Sequence, residues 1–324
     1  MSSKFPADEK RQRKDPALIV VLGPTASGKS ALAMALALAF DGEIVSCDSV
    51  AVYRGLDIGA AKPSREQQSR APHHLIDVAA PDEPYSAGEY SRAARAAIAE
   101  IAGRGRLPIL SGGTGLYLRA ALAGLFAGPQ RSESLRTRLR QTAARRGPGY
   151  VHRLLARLDP VSAARIHAHD LAKGMRAIEV TLAARQPMSQ AWQMGRDPLT
   201  GYRILRLGLQ PPREQLYARI NERARAMFER GLIEETKGLL ERYERPPLGA
   251  PSALDSLGYR QAAGYLRGAL TLEEAIAAAS QGHRNYAKRQ LTWFRREPGV
   301  VWLQGFGDSA SVQTEALDLV AKHL

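Results

Sequence analysis

The sequence predicts an α/β fold: a parallel sheet flanked by helices, interrupted by an all-helical insertion. Three observations carry that expectation. Apolar, β-branched segments recur at Leu18 to Leu22, Glu43 to Cys47 and Leu107 to Leu110, with helix-length stretches between them, which is the alternation that builds parallel sheets. The first segment runs into Gly23 Pro24 Thr25 Ala26 Ser27 Gly28 Lys29 Ser30 and then the Ala/Leu-rich stretch Ala31 to Phe40. Strand, G-x-x-x-x-G-K-[ST] loop and helix therefore stand in the order a phosphate loop requires. From Arg131 to Trp192 the pattern is helical, with little that alternates as a strand.

Taken in order, the loop makes the fold P-loop NTPase-like. Its glycines let backbone N–H groups turn toward an anion, Lys29 adds a full positive charge, and Ser30 offers a hydroxyl to Mg²⁺. The second segment ends at Asp48 and Ser49, which puts a carboxylate at the same sheet edge as the loop. Magnesium ligand, general base and helix N-cap all remain open for it. A helix over Ser86 to Arg104 leads to the third segment, which ends in Ser111 Gly112 Gly113 Thr114 Gly115. There the Thr114 hydroxyl could meet the same anion from the opposite side, since open parallel sheets bind ligands at their carboxyl edge.

Gly128 and Pro129 close the first unit, and the insertion follows, with Arg131, Arg136, Arg138, Arg140, Arg145 and Arg146 opposed only by Glu133. Asp170 is a candidate N-cap for a helix through Arg185, limited by Pro187. Tyr202 to Leu209 returns to strand character. The expected division is a disordered tail over 1–16, a catalytic core over 17–129 and 202–324, and a helical insertion over 130–201. Helices over Arg213 to Arg230 and Leu232 to Tyr243 come next, the first carrying Arg219 and Arg223 four apart, where both can face one ligand or, as the residues alone favour, form a solvated face. A Pro/Gly-rich loop leads to Asp255 Ser256 Leu257 Gly258 Tyr259 Arg260. The helix after Thr271 ends in a basic segment that interleaves Tyr286, Trp293 and Phe294 with Arg284, Lys288, Arg289, Arg295 and Arg296, and Val300 to Leu303 reads as a last strand. Aromatic faces stack on bases while cations hold phosphates, so this segment reads as a nucleic-acid surface, or else as a basic helix packed on the core.

Composition bounds the function. Across 324 residues, 46 Lys plus Arg outweigh 32 Asp plus Glu for a net charge of +14, which favours a polyanionic partner and opposes self-association. Cys47 is the single cysteine, so neither a disulfide framework nor a Cys-rich zinc site can be built within the chain, and a reducing, cytoplasmic setting fits. Met1 to Pro16 is polar and charged, without the apolar stretch of a signal, and no later segment is long enough to span a membrane.

A wider set of blocks carries a resemblance. Gly23 to Ser30, Asp48 Ser49 with Tyr53, Asp57 Ile58 Gly59 with Lys62 Pro63, Pro72 His73 His74 Leu75 with Asp77, Gly112 Gly113 Thr114 with Leu116 Tyr117, Leu257 to Arg260, and Lys288 to Arg295 occur in the order of the bacterial tRNA dimethylallyltransferases. The sequence resembles that family over about residues 17 to 304. The resemblance implies transfer of the five-carbon group of dimethylallyl diphosphate to N6 of adenosine 37, in the anticodon stem-loop of tRNA. It implies that Asp48 is the base on N6. Thr114 and Arg223, with Gly23, Thr25, Ala26, Ser27, Gly28, Lys29 and Ser30, would hold the diphosphate, and Mg²⁺, ligated by Ser30, would bridge the phosphates. The family's tRNA contacts map onto Asp48, Ser49, Val50 and Ala51; onto Ala172, Lys173, Gly174, Met175 and Arg176; onto Asp255, Ser256, Leu257, Gly258, Tyr259 and Arg260; and onto Lys288, Arg289, Gln290, Leu291, Thr292, Trp293, Phe294 and Arg295. A monomer is expected. Ser30 stands where the family often has Thr, Lys173 where Arg is usual, and the zinc finger of eukaryotic members is absent.

Three rival readings remain at this stage. An adenylate prenyltransferase would act on a free nucleotide, which needs neither the insertion nor the basic terminal block. A small-molecule kinase would use the loop for ATP and Asp48 for Mg²⁺ or the acceptor hydroxyl. A nucleotide-gated RNA-binding protein would use the same basic surface without chemistry.

Overall fold

A computed structural model describes residues 15–126, 128–129, 132–191, 197–245 and 249–324. Residues 1–14 of the expected tail, and Arg131 and Trp192 at the expected limits of the helical stretch, lie outside the described residues.

The strands are β1 (Ala17–Leu22), β2 (Gly42–Cys47), β3 (His73–His74), β4 (Leu107–Gly112), β5 (Arg203–Leu209) and β6 (Val300–Leu303). They pair in parallel in the order β3-β2-β4-β1-β5-β6. All six residues of β1 are buried, which is why its sequence is a continuous apolar run and not an alternating one. Register aligns Gly112 with Leu22 on one side and with Cys47 on the other. Three chain segments therefore leave the carboxyl edge of the sheet at one level, and they lead into Gly23, Asp48 and Gly113.

Helices α1 (Lys29–Ala39), α2 (Arg65–Arg70), α3 (Ala87–Gly103) and α4 (Gly115–Leu122) belong to the first half of the sheet. Ser86 and Glu89 form a capping box at the start of α3, satisfying two backbone N–H groups that have no partner within the helix. On that side Tyr90 stacks on Tyr117 at 4.0 Å between centroids and donates its hydroxyl to the Ser46 carbonyl at 2.9 Å. In the insertion lie α5 (Glu133–Arg146), α6 (Pro148–Leu158), α7 (Pro160–Arg165), α8 (Leu171–Ala184) and α9 (Met188–Ala191). Then come α10 (Arg213–Glu229), α11 (Leu232–Tyr243), α12 (Tyr259–Leu266), α13 (Leu272–Phe294) and α14 (Ala310–His323). Leu32 and Leu36 of α1 and Val312, Ala316 and Val320 of α14 share one core with Ile19, Val21, Ile44 and Ile109 of the sheet.

The chain folds as two compact units, one ending at Ala121 and resuming at Thr200, the other spanning Leu122–Leu199. The second begins eight residues before the expected position 130, because Phe126 packs on its core and the Leu199 N–H donates to the Leu122 carbonyl at 2.8 Å. Within it Glu179 is fully buried. Burial pushes its carboxyl up, but hydrogen bonds from Arg136 (3.0 Å), Arg176 (2.7 Å) and the Ser132 N–H (2.6 Å), with the Arg136 charge, outweigh that and hold it at about 2. Asp170 caps α8 through the Lys173 N–H at 3.1 Å. Elements absent from the sequence reading are β3, α2, α12, α14 and the eight-residue α4. The first two are too short to show a period. The third follows a glycine-rich loop, and α14 is recognisable only by the sheet face it covers.

Candidate active site

The phosphate loop is held from several directions. Gly28 has φ +85°, and a Cβ there would lie 2.8 Å from the Gly307 nitrogen, so both the backbone angle and the packing demand glycine. The Thr25 N–H donates to the Gln290 carbonyl oxygen at 2.8 Å, and the Gln290 amide donates to the Gly113 carbonyl at 2.8 Å. One buried side chain of α13 thus ties the loop to the other glycine-rich turn. From α10, Arg223 donates to the Thr25 hydroxyl at 3.2 Å. Lys29 donates to the Pro24 carbonyl at 2.6 Å. Its surroundings withhold water although the cleft leaves it partly open, so burial, followed by the nearby Arg223 charge, lowers its amine to about 7 against the opposing pull of Asp48. Burial likewise lowers Arg223, with Asp48 opposing.

Asp48 closes β2. Its Oδ1 accepts from the N–H groups of Val50 at 2.8 Å and Ala51 at 3.2 Å, so the carboxylate does cap a backbone turn, though one that no helix follows. The Thr114 hydroxyl accepts from the Ser49 N–H at 3.0 Å and faces the Ser49 hydroxyl at 3.3 Å. Thr114 therefore fastens the Asp48 turn to the end of β4. Lys29, Ser30, Asp48, Gly113, Arg223 and Tyr286 line a single cleft. Ala33, Ile44, Ala51 and Ile76 give that cleft an apolar wall. The exposed Ser30 hydroxyl and the Asp48 carboxylate supply hard oxygen donors there, the kind Mg²⁺ takes together with phosphate oxygens. Among the described residues no group of three or more His, Cys, Asp or Glu stands ready to hold a metal.

Lys62 and His73 also line the cleft, and the sequence reading gave neither a role in the site. Lys62 donates to the Tyr53 carbonyl and pairs with Asp57 and Asp77, binding together loops that a local pattern does not connect. The acid pair on either side of Lys62 was the available signal.

Several expectations need correction. Arg219 and Arg223 do not face one ligand: Arg219 pairs with Asp308 and lies over the Phe306 ring, while Arg223 alone reaches the loop. The interleaved aromatic surface is not built either. The period of α13 buries Ala287, Gln290 and Phe294 and turns Lys288, Arg289, Thr292 and Arg295 outward. Trp293 lies under the Arg119 guanidinium at 4.3 Å, and Tyr286 turns into the cleft. Of the candidate tRNA contacts, Ala51, Gly174, Met175, Gly258, Tyr259, Gln290 and Phe294 are buried. Tyr259 donates to Glu235 at 2.6 Å and accepts from the Gly59 N–H at 3.1 Å. Arg176 is committed to Glu179 and to the Pro129 carbonyl. Ala172, Lys173, Asp255, Arg260, Lys288, Arg289, Thr292 and Arg295 are exposed, and Ser49, Val50, Ser256, Leu257, Leu291 and Trp293 are half-buried.

Known proteins are similar to this chain in sequence and in fold. The chain is 63% identical over 306 residues to the tRNA dimethylallyltransferase of Koribacter versatilis, covering 94% of this chain and 98% of that protein. It is 53% identical to the enzyme of the same name from Solibacter usitatus, covering 95% and 99%. Its fold matches the crystal structure of a tRNA isopentenylpyrophosphate transferase from Bacillus halodurans with TM-score 0.69 and 37% identity, over 95% of this chain and 96% of that one. It also matches a eukaryotic dimethylallyltransferase acting on tRNA with TM-score 0.78 and 26% identity, over 95% and 80%. The IPP transferase family model matches residues 51–297, and the chain belongs to that family.

Proposed function

We propose that the protein transfers the dimethylallyl group from dimethylallyl diphosphate to N6 of adenosine 37, beside the anticodon of tRNA, and releases pyrophosphate. The observation that carries this reading is the convergence of a carboxylate, Asp48, with two half-buried cations, Lys29 and Arg223, in one cleft with an apolar wall. N6 of adenine is a weak nucleophile, and a diphosphate leaves readily only when its growing charge is met, so the reaction needs one base and several cations. The relatives that match nearly end to end carry the name of this activity.

In this mechanism the N6 nitrogen attacks C1 of the prenyl group, the C1–O bond breaks, and its electron pair leaves with pyrophosphate. Asp48 accepts the N6 proton. Arg223, Lys29 and the loop amides take up the charge that develops on the departing oxygen. Thr114 holds the turn that aims Asp48 and adds its hydroxyl on the far side of the anion. Ser30 would ligate Mg²⁺, which, when bound, neutralises part of the diphosphate charge. The wall formed by Ala33, Ile44, Ala51 and Ile76 would receive the five-carbon chain and exclude water from the carbocation-like centre. Adenosine 37 must leave its stack to reach the cleft. The exposed cations of α13 would track the anticodon stem-loop phosphates. The protein would act as a monomer in the cytoplasm. Among the described residues no helix is long and apolar enough to cross a membrane.

Incubation with Mg²⁺, labelled dimethylallyl diphosphate and unmodified tRNA, followed by digestion to nucleosides, tests the proposal. Label on N6 of adenosine 37 supports it. Label on free AMP with none on tRNA overturns the choice of acceptor.

A further inference from the structure

The segment Gly305–Asp308 follows β6 and lies beyond the residues matched by the family model, yet it forms the back of the phosphate loop. The Gly307 N–H donates to the Ser27 carbonyl at 2.9 Å. The two backbones approach so closely that a Cβ on Gly307 would lie 2.5 Å from the Gly28 carbonyl oxygen. The neighbouring Asp308 receives both terminal nitrogens of Arg219, one at 2.9 Å. That guanidinium also lies 4.3 Å from the Phe306 ring centroid. Phe306 packs with Ala26 of the loop against Leu216 and Ile220 of α10. Arg219 and Asp308 are each about 40% exposed, at 39% and 40%.

One turn after Arg219, the same helix presents Arg223 to the Thr25 hydroxyl. Helix α10 therefore touches the phosphate loop twice: in front through Arg223, and behind through Arg219, Asp308 and Gly307. We propose that the Arg219–Asp308 pair is a positioning device that fixes the phosphate loop relative to Arg223, so that loop amides and guanidinium converge on one diphosphate. Neither residue lines the cleft; both act through Gly307 and the helix. The bidentate geometry and the ring beneath the guanidinium fix direction as well as charge. Lysine, a point charge on a flexible stem, would hold the pair without fixing it.

This inference rests on the diphosphate reading of the cleft, and the test separates the two. Binding of inorganic pyrophosphate with Mg²⁺ is measured by calorimetry for the native protein, Arg219→Ala, Asp308→Ala, Arg219→Lys and the double alanine variant, with thermal melting alongside. If the native protein does not bind pyrophosphate, the diphosphate reading fails. With native binding present, the proposal expects each alanine variant to bind about five-fold more weakly, in line with the modest worth of a half-exposed pair. The double variant should bind no more weakly than either single one, because both remove the same strut. Arg219→Lys should keep the melting temperature and lose most of the affinity. Native-like affinity in the single variants, additive losses in the double one, or full affinity in Arg219→Lys would each overturn it.

Discussion

Replacing Asp48 separates chemistry from architecture, because one of its oxygens already holds the N–H groups of Val50 and Ala51. An asparagine carbonyl can accept both bonds, so Asp48→Asn deletes the proton acceptor and keeps the turn. General bases contribute about 10²–10⁴ in rate, equal to roughly 2.7–5.5 kcal/mol at about 1.36 kcal/mol per decade. Asp48→Ala strips the two bonds as well. Stranding a buried N–H costs about 1–3 kcal/mol; Ala51 is buried and Val50 half-buried, so the alanine variant should also lose stability and displace the Ser49 contact with Thr114. The assay is single-turnover transfer of label to an anticodon stem-loop with enzyme in excess, read against tRNA affinity and thermal melting. Asp48→Asn should lose about 10²–10⁴ in the transfer rate while tRNA affinity stays within about two-fold and melting is unchanged. A rate within ten-fold of native, or weakened tRNA binding as the main defect, would refute the assignment of Asp48 as the base.

Lys29 gives a pH signature. Its amine is lowered to about 7 in the folded protein against an ordinary value of 10.5, so between those limits the unfolded chain binds the extra proton and stability rises with pH. Lys29→Met should flatten that rise in melting temperature between pH 7 and 9, and an unchanged slope would place its source elsewhere. Gln290→Ala strands the Thr25 N–H and the Gly113 carbonyl, so denaturant unfolding should report a loss of about 2–5 kcal/mol, with no loss if the two turns pair without it. Arg295→Ala should weaken tRNA binding and reduce its salt slope by about 0.7–0.9, the share of one phosphate contact; equal slopes for variant and native would put Arg295 off the interface.

The parallel sheet was legible because β1 is buried throughout and reads as an unbroken apolar run, while β2 and β4 keep the buried apolar pairs Ile44–Val45 and Ile109–Leu110 before a turn that begins at aspartate or glycine. The phosphate loop was legible because its chemistry is contiguous. What escaped notice depends on distance along the chain. His73 and His74 form a strand only because Ile44 and Val45 lie beside them, and two residues carry no period. Helix α14 has ordinary helical composition, and only the core it shares with α1 gives it a place. The aromatic and basic residues of α13 were read as one surface, but a helix distributes neighbours in sequence around its axis. Phe294 and Arg295 consequently face opposite environments, one buried and the other in solvent.

The site shows the same division and adds an electrostatic one. Sequence identified Lys29, Asp48 and Arg223 separately, while their mutual influence belongs to the fold. Burial lowers both Lys29 and Arg223, the Arg223 charge lowers Lys29 further, and Asp48 opposes both shifts. Without an anion the cleft therefore holds Arg223 and, below about pH 7, a protonated Lys29 in poor solvation, opposed by Asp48. Entry of a diphosphate relieves that repulsion, and above pH 7 it should draw a proton onto Lys29, so the loop becomes most cationic when the leaving group needs it. On the proposed reading, Asp48 would then no longer be needed as counter-charge to Lys29 and Arg223 and would accept the proton from N6.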